Sequence, residues 1–276
     1  MIPVTFSYHK AESVGDAVAR IAGNPEAKLL AGGHSLVPAM KLRLAAPGEL
    51  IDITGLDELK AITVGESIQI GALATYNDIL HHHELIAHLP IFGAAIPHVG
   101  DRQVRARGTF GGCIAHADPA ADLTAVLLAL GGHVNATGPA GERSIPVEEY
   151  FVDLWTTALA PDEMLTSVVI PLPGDGARMT YVKHRHPASG YAVVGIAVVV
   201  DDNGPRVTIT GATSKPEHLA GAEDAISAGI NDASIDLAVA RATEGVHING
   251  DLYADEEYRT HLVGQMVKKA LQQIVS

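Results

Sequence analysis

Apolar residues recur at Val14, Val18 and Ile21, the spacing of a helix that buries one face, and Ser13 with Asp16 resembles a capping box at its start. Two short apolar runs of strand length follow, Ala27 to Ala31 and Glu49 to Ile53. Between them Ser35 can cap a helix through Leu36, Met40 and Leu44, with Pro38 tolerated in its first turn. Strand, helix and strand in this order predict a small α/β lobe with a parallel pair over the first fifty or so residues.

The pattern then turns to alternation at Ser67 to Ile70, ahead of a helix from Tyr76 with Thr75 and Asp78 at capping spacing. A longer helix is expected through Ile86, Ile91 and Ile96. Pro119 opens an Ala/Leu-rich helix to Leu130, and strands are expected near Val134 and from Met164 to Ile170. Pro171-Leu172-Pro173-Gly174-Asp175-Gly176 denies both helix and ladder hydrogen bonding, so the domain boundary is placed there. This divides the chain into 1–173, with lobes of about 1–54 and 55–173, and 174–276. The second part reads as strands at Met179 to His184, Tyr191 to Val200 and Arg206 to Gly211, then helices near Gly221 to Ala228, Ser234 to Glu244 and Tyr253 to Ile274. No internal repeat is present.

The length of 276 residues agrees with two compact units. A net charge of −13 opposes binding to nucleic acid or to an anionic membrane surface. The strongest apolar run, Ala192 to Val200, falls far below the roughly 20 residues of a spanning helix and reads as a buried strand. The first residues lack the basic and apolar regions of a signal peptide, so a cytoplasmic location is expected, with any approach to the inner face of a membrane made through partners. Cys113 is the single cysteine, which excludes an intrachain disulfide and a thiolate-ligated iron–sulfur cluster on this chain. His81, His82 and His83 cannot converge on one ion from a helix and read as a solvated face.

Candidate chemistry lies in two glycine pairs, each read as a turn between an apolar run and a helix. Ala31-Gly32-Gly33-His34-Ser35-Leu36 follows a strand and opens a helix, a setting that presents N–H groups to phosphate. It lacks the ending of a Walker loop and the spacing of a G-x-G-x-x-G fingerprint, and a plain tight turn is the competing reading. Thr109-Phe110-Gly111-Gly112-Cys113 is the second, and the run continues to Asp122, which could accept hydrogen bonds from ribose hydroxyls or stand as an exposed acid on the helix dipole. Paired turns of this kind can hold a diphosphate.

With Leu29 to Pro38, Met40-Lys41-Leu42-Arg43 and the Thr-Phe-Gly-Gly-Cys-Ile-Ala-His-Ala-Asp-Pro-Ala-Ala-Asp run from Thr109 on the page, the chain resembles the FAD-binding medium subunit of molybdenum hydroxylases. That family includes aerobic carbon monoxide dehydrogenase and the flavin portion of xanthine dehydrogenase. The resemblance covers essentially the whole chain. It implies an α+β fold, with a two-lobed FAD-binding domain of the vanillyl-alcohol-oxidase-like (PCMH) type followed by a smaller α/β domain of carbon monoxide dehydrogenase flavoprotein type. FAD would lie extended between them. Carried over by position, Leu29, Leu30, Ala31, Gly32, Gly33, His34, Ser35 and Leu36, with Thr109, Phe110, Gly111, Gly112 and Cys113, would line the pyrophosphate. Asp122 would meet the adenosine ribose, and Val99 and Leu165 would lie beside the flavin. Lys183 matches a basic position near the isoalloxazine, and Tyr191 a tyrosine over the ring. The competing readings are a strand-edge charge for Lys183 and a core aromatic for Tyr191.

Two positions depart from the family pattern. Cys113 replaces a better hydrogen-bonding side chain, leaving its backbone N–H as the expected contact, and Gly190 stands where some relatives carry an acid. Arg102, Arg105 and Arg107 could attract the diphosphate, face a partner or be solvated. The resemblance implies an electron-transfer subunit without catalytic residues of its own, taking electrons from a separate 2Fe-2S subunit and passing them to an external acceptor. Molybdopterin would lie on a large partner, commonly in a dimer of heterotrimers. A self-sufficient flavin oxidase and a scaffold that has lost FAD are the rival readings.

Overall fold

The computed structural model describes residues 1–275. In the first lobe β1 (Ser7–Lys10), α1 (Val14–Gly23), β2 (Ala27–Leu30), α2 (Leu36–Lys41) and β3 (Glu49–Asp52) build a parallel sheet in the order β1-β3-β2. The expected parallel pair is β2 with β3, and β1 adds a strand that the pattern did not mark. Its core joins Ala17 and Val18 of α1 to Ile51 and Ile53. The cap of α1 is one-sided: the Ser13 hydroxyl accepts the Asp16 N–H, whereas the Asp16 carboxylate meets the His9 ring at 2.8 Å and accepts the Glu12 N–H.

The second lobe runs β4 (Ile62–Val64), β5 (Ser67–Gly71), α3 (Tyr76–His81), α4 (His83–His88), α5 (Pro90–Ala95), α6 (Arg102–Arg107), α7 (Phe110–His116) and α8 (Asp122–Leu130). It continues through β6 (His133–Gly138), β7 (Gly141–Pro146), α9 (Val147–Tyr150), β8 (Phe151–Asp153), β9 (Thr156–Thr157) and β10 (Met164–Pro171). Five strands form an antiparallel sheet in the order β4-β5-β10-β6-β7, and its core packs Ile68, Ile70, Val134 and Val168 with helical residues such as Phe92, Phe110 and Leu127. Thr75 and Asp78 make the expected reciprocal capping box on α3.

Three expectations fail here for local reasons. The long helix through Ile86 to Ile96 is broken into α4 and α5, because Pro90 has no N–H to donate and pushes Leu89 out of helical geometry, to φ −125°, ψ 66°. His81 to His83 span the α3–α4 junction instead of one solvated helix face, and His82 caps α4 by accepting the Leu85 N–H on Nδ1. Pro119 precedes α8 rather than opening it: Asp118 caps a turn by accepting the Ala120 N–H on its carboxylate and the Ala121 N–H on its carbonyl.

The remainder is an antiparallel meander of β11 (Arg178–Arg185), β12 (Ala192–Asp201), β13 (Gly204–Thr210) and β14 (Glu217–His218), covered by α10 (Ala220–Ile226), α11 (Asp232–Arg241) and α12 (Glu256–Val275). The apolar run of β12 has two faces to fill. Val194, Ile196 and Val198 join the core with Val263, Val267 and Leu271 of α12, while Ala197 and Val199 join the second-lobe core against α8. Strand alternation sends successive side chains to opposite sides, so a strand between two helical layers is apolar at every position. All nine residues of α8 are buried for the same reason, wedged between the second lobe and the meander. This packing brings β11 to the N-terminus of α8.

Candidate functional site

The first glycine pair is a turn between β2 and α2. Gly33 has φ +74°, in the left-handed region that glycine adopts without penalty. Gly32 is constrained by a neighbour: a Cβ there would stand 2.2 Å from the Arg107 carbonyl oxygen and 2.9 Å from Gly108 Cα, so the α6–α7 connection lies on its backbone. The His34 ring contacts the Gln103 carbonyl at 3.3 Å, tying the turn to α6. The N–H groups of Gly32, Gly33, His34 and Ser35 donate to no protein acceptor among the described residues. Ser35 does not cap α2 with its side chain as expected. Consecutive amides left free in this way are the donor set of an anion-binding concavity.

The second pair is not a turn but the first turn of α7, and its donors are spent. The Phe110 N–H donates to the Ala74 carbonyl at 2.9 Å, Gly111 to Ala72 at 3.0 Å, Gly112 to the Thr109 hydroxyl at 3.1 Å and Cys113 to the Thr109 carbonyl at 3.0 Å. The Cys113 N–H is therefore not the ligand donor expected of it. The glycines serve clearance: a Cβ on Gly111 would lie 2.6 Å from Ala72 Cα, and one on Gly112 would lie 2.6 Å from the Thr109 hydroxyl and 3.9 Å from Ala31 Cβ. Helix α7 is thus seated against the end of β5 and beside the first turn. Phe110 points into the core, edge-on to Phe92 at 5.6 Å. Burial pushes the Cys113 thiol up to about 12, so it stays protonated.

Asp122, the first residue of α8, is buried and ion-paired. The Lys183 ammonium of β11 donates to its Oδ2 at 2.8 Å and to the His98 carbonyl at 3.2 Å, and the Tyr181 hydroxyl donates to Oδ1. Side-chain exposures of 1% for Lys183 and 6% for Asp122 rule out both a strand-edge charge and an exposed first-turn acid. Burial pushes the Asp122 carboxyl above its ordinary range, opposed by the Lys183 charge and the hydrogen bonds from Lys183 and Tyr181. The phenol of Tyr181 is pushed far up by burial and then by the Asp122 charge, and burial lowers His98. Two donors of the Lys183 ammonium are used by protein, and the third has no acceptor among the described residues.

The resemblance implies that Asp122 meets the adenosine ribose and Lys183 the isoalloxazine, and the structure puts these two side chains in direct contact at 2.8 Å. Tyr191 precedes β12 and is half exposed, which excludes a core aromatic; its phenol is raised by burial and then by Asp118, Cys113 and Asp122. Val99 follows His98, and its carbonyl accepts from Arg105 at 3.0 Å, as does that of Gly100 at 3.1 Å, so Arg105 is a structural cation. Leu29, Leu30 and Leu36 flank the first turn as part-buried side chains, whereas Leu165 is buried in the second core beside a bulge in the β6 pairing. Tyr181 and His98 were missed, although Tyr181 stands two residues before Lys183 on one strand, so alternation points both to the same face.

Among the described residues no His, Cys, Asp and Glu cluster could hold a metal ion, and no helix is long and apolar enough to cross a membrane. Residues 4–173 match the family described as FAD binding domain in molybdopterin dehydrogenase, and residues 179–274 match the CO dehydrogenase flavoprotein C-terminal domain. The chain is 36% identical to the carbon monoxide dehydrogenase medium chain of Hydrogenophaga pseudoflava, over 98% of this chain and 97% of that one. It is 34% identical to the 6-hydroxypseudooxynicotine dehydrogenase complex subunit alpha of Paenarthrobacter nicotinovorans, over 98% and 95%. A solved structure of carbon monoxide dehydrogenase from Hydrogenophaga pseudoflava superposes with a TM-score of 0.95 at 36% identity, covering 100% of this chain and 99% of that chain.

Proposed function

This chain belongs to the family of FAD-binding medium subunits of molybdenum hydroxylases and is an oxidoreductase subunit that transfers electrons through FAD, and on that premise we propose where the cofactor lies and which partners it serves. The diphosphate sits on the free N–H groups of Gly32 to Ser35, and the isoalloxazine end reaches the Asp122–Lys183 pair, with Tyr191 over the ring. The observation that carries this placement is the contrast in donors: one glycine turn has a row of unspent amides beside a second segment whose glycines only make room. Asp122 is thereby assigned to the ring end, and the adenosine ribose is given to other residues. The donor set fits the cofactor at its diphosphate, since the free amides of the first turn suit a diphosphate.

Bound FAD supplies a carrier that exchanges electrons with one-electron and two-electron partners. The chain's residues supply position and field. A lone lysine beside the ring would favour negative charge on the flavin, but Lys183 is neutralised by Asp122, so the pair presents a fixed dipole rather than a full cation. Electrons arrive from a small 2Fe-2S subunit and leave to an external acceptor, while a large subunit holds the molybdenum cofactor and oxidises the substrate. The two relatives' names differ in substrate while the whole flavin chain stays alike, which favours substrate choice elsewhere in the complex. A dimer of heterotrimers is the proposed assembly, with any membrane contact made through partners.

The test is the visible spectrum of the purified chain with its released cofactor identified by mass. Flavin bands and the mass of FAD are expected, with substrate oxidation only after the other two subunits are added. Protein that takes up no FAD, or whose flavin is bleached by an organic substrate without partners, would overturn the reading.

A further inference from the structure

Three strands of the C-terminal domain bear on the start of α8, and one of them, β11, holds the Asp122 carboxylate. From β13, the Thr210 hydroxyl donates to the carbonyls of Pro119 at 2.6 Å and Ala121 at 3.0 Å, and the next residue, Gly211, donates its N–H to Pro119 at 2.7 Å, fixing the residues that lead into α8. From β12, Gly195 provides the space for a phenol: a Cβ there would stand 2.3 Å from the Tyr181 hydroxyl. From β11, Tyr181 and Lys183 take one oxygen each of Asp122.

A buried carboxylate with Lys183 as its only partner would leave Oδ1 unsatisfied and free to rotate toward other donors. Tyr181 removes that freedom. Its ring is buried, tilted against His98 at 6.4 Å, and its hydroxyl has one acceptor, Asp122. We infer that Tyr181 is a positioning residue for the flavin site, holding the Asp122 carboxylate in the orientation that aims the Lys183 ammonium and so setting the charge presented to the isoalloxazine end of FAD. The consequence for the flavin rests on the cofactor placement proposed above; the hold on Asp122 rests on geometry alone. Other ionisable groups bear on the same carboxylate or its neighbours: His98 ahead of α6, Arg185 on β11, Lys269 on α12, and Tyr191, which also senses Asp118 and Cys113.

Tyr181→Phe keeps the ring and removes the hydroxyl. Thr208→Val is its control, because Thr208 lies on the same β13–α8 contact, donating to the Ala125 carbonyl at 2.7 Å, and does not touch Asp122. In the apo chain, carbon-13 titration of the Asp122 carboxyl is expected to move up by about one pH unit or more in Tyr181→Phe, since the ionised form loses a hydrogen bond, and to stay in place in Thr208→Val. In the FAD-loaded chain the inflection of reduction potential against pH should move with it. Gly195→Ala, which crowds the phenol without removing it, should reproduce both changes. An unmoved carboxyl in Tyr181→Phe, or equal changes in Thr208→Val, would overturn the positioning role. A moved carboxyl with an unchanged potential would overturn the link to the flavin, and protein that binds no FAD would overturn the cofactor placement while the carboxyl titration still decides the role of Tyr181.

Discussion

The two glycine pairs share a dipeptide and an expected role, yet Gly32-Gly33 leaves a row of amides open while Gly111-Gly112 has every amide bonded to the protein. The difference comes from what lies behind each. Thr109 and the carbonyls of Ala72 and Ala74 reach the second pair and close it into a helix, whereas Ser35 makes no equivalent bond to the first. A Gly-Gly pair therefore signals a place where a Cβ is not tolerated. Whether it offers donors depends on partners elsewhere in the chain.

The largest effect is expected from Gly32→Ala. Its Cβ would stand 2.2 Å from backbone of the α6–α7 connection, a deeper clash than the 2.6 Å at Gly111, so the cost is about 3 kcal/mol or more, and FAD uptake should be lost with it. Thermal unfolding and flavin titration measure the two halves; a stable variant with normal FAD affinity would erase the contrast. Gly111→Ala should cost about 1–3 kcal/mol through its clash with Ala72, partly offset by better helix propensity. Here folded protein should still bind FAD within about threefold of the parent, because no free donor is disturbed.

Thr109→Val removes the acceptor of the Gly112 N–H and should cost about 1 kcal/mol of stability, read from denaturant midpoints. A charged contact between the domains provides a smaller effect of another kind. His218 is pushed down by burial but raised more by Glu223 and Glu148, for a net rise, and these two acids lie on α10 and α9. A raised folded pKa means that its stabilisation is full below the ordinary histidine range and lost as pH climbs through the folded value. The parent should lose under about 1 kcal/mol from pH 6 to 8 that Glu148→Gln loses to a lesser degree. Ser35→Ala should change stability least, within about 0.5 kcal/mol, because the hydroxyl caps nothing; a loss matching that of Thr109→Val would contradict the difference between the turns.

Much of this was legible locally. The alternation of β5, the Thr75–Asp78 box, the linker and the order of the last three helices are short-range signals, and the motif residues carried the family. Pro90 was a legible break in the α4–α5 region that the apolar spacing overrode. β7 carries one buried residue in six, so no alternation marks it. The site resisted sequence reading because its partners are distant. Lys183 lies 61 positions beyond Asp122, and no local pattern tells an exposed first-turn acid from one sealed by another domain's strand.

The boundary at Pro171 to Gly176 separates two stretches of sequence but not two cores, because β12 faces both and α8 is enclosed by them. A protease cutting at Leu172 would thus leave fragments that cling together. Either fragment made alone would carry a bare apolar sheet or helix and be prone to precipitate. In evolutionary terms, exchange of the C-terminal domain between relatives is coupled to α8: a foreign β12 must match its surface, or the graft leaves voids beside Asp122.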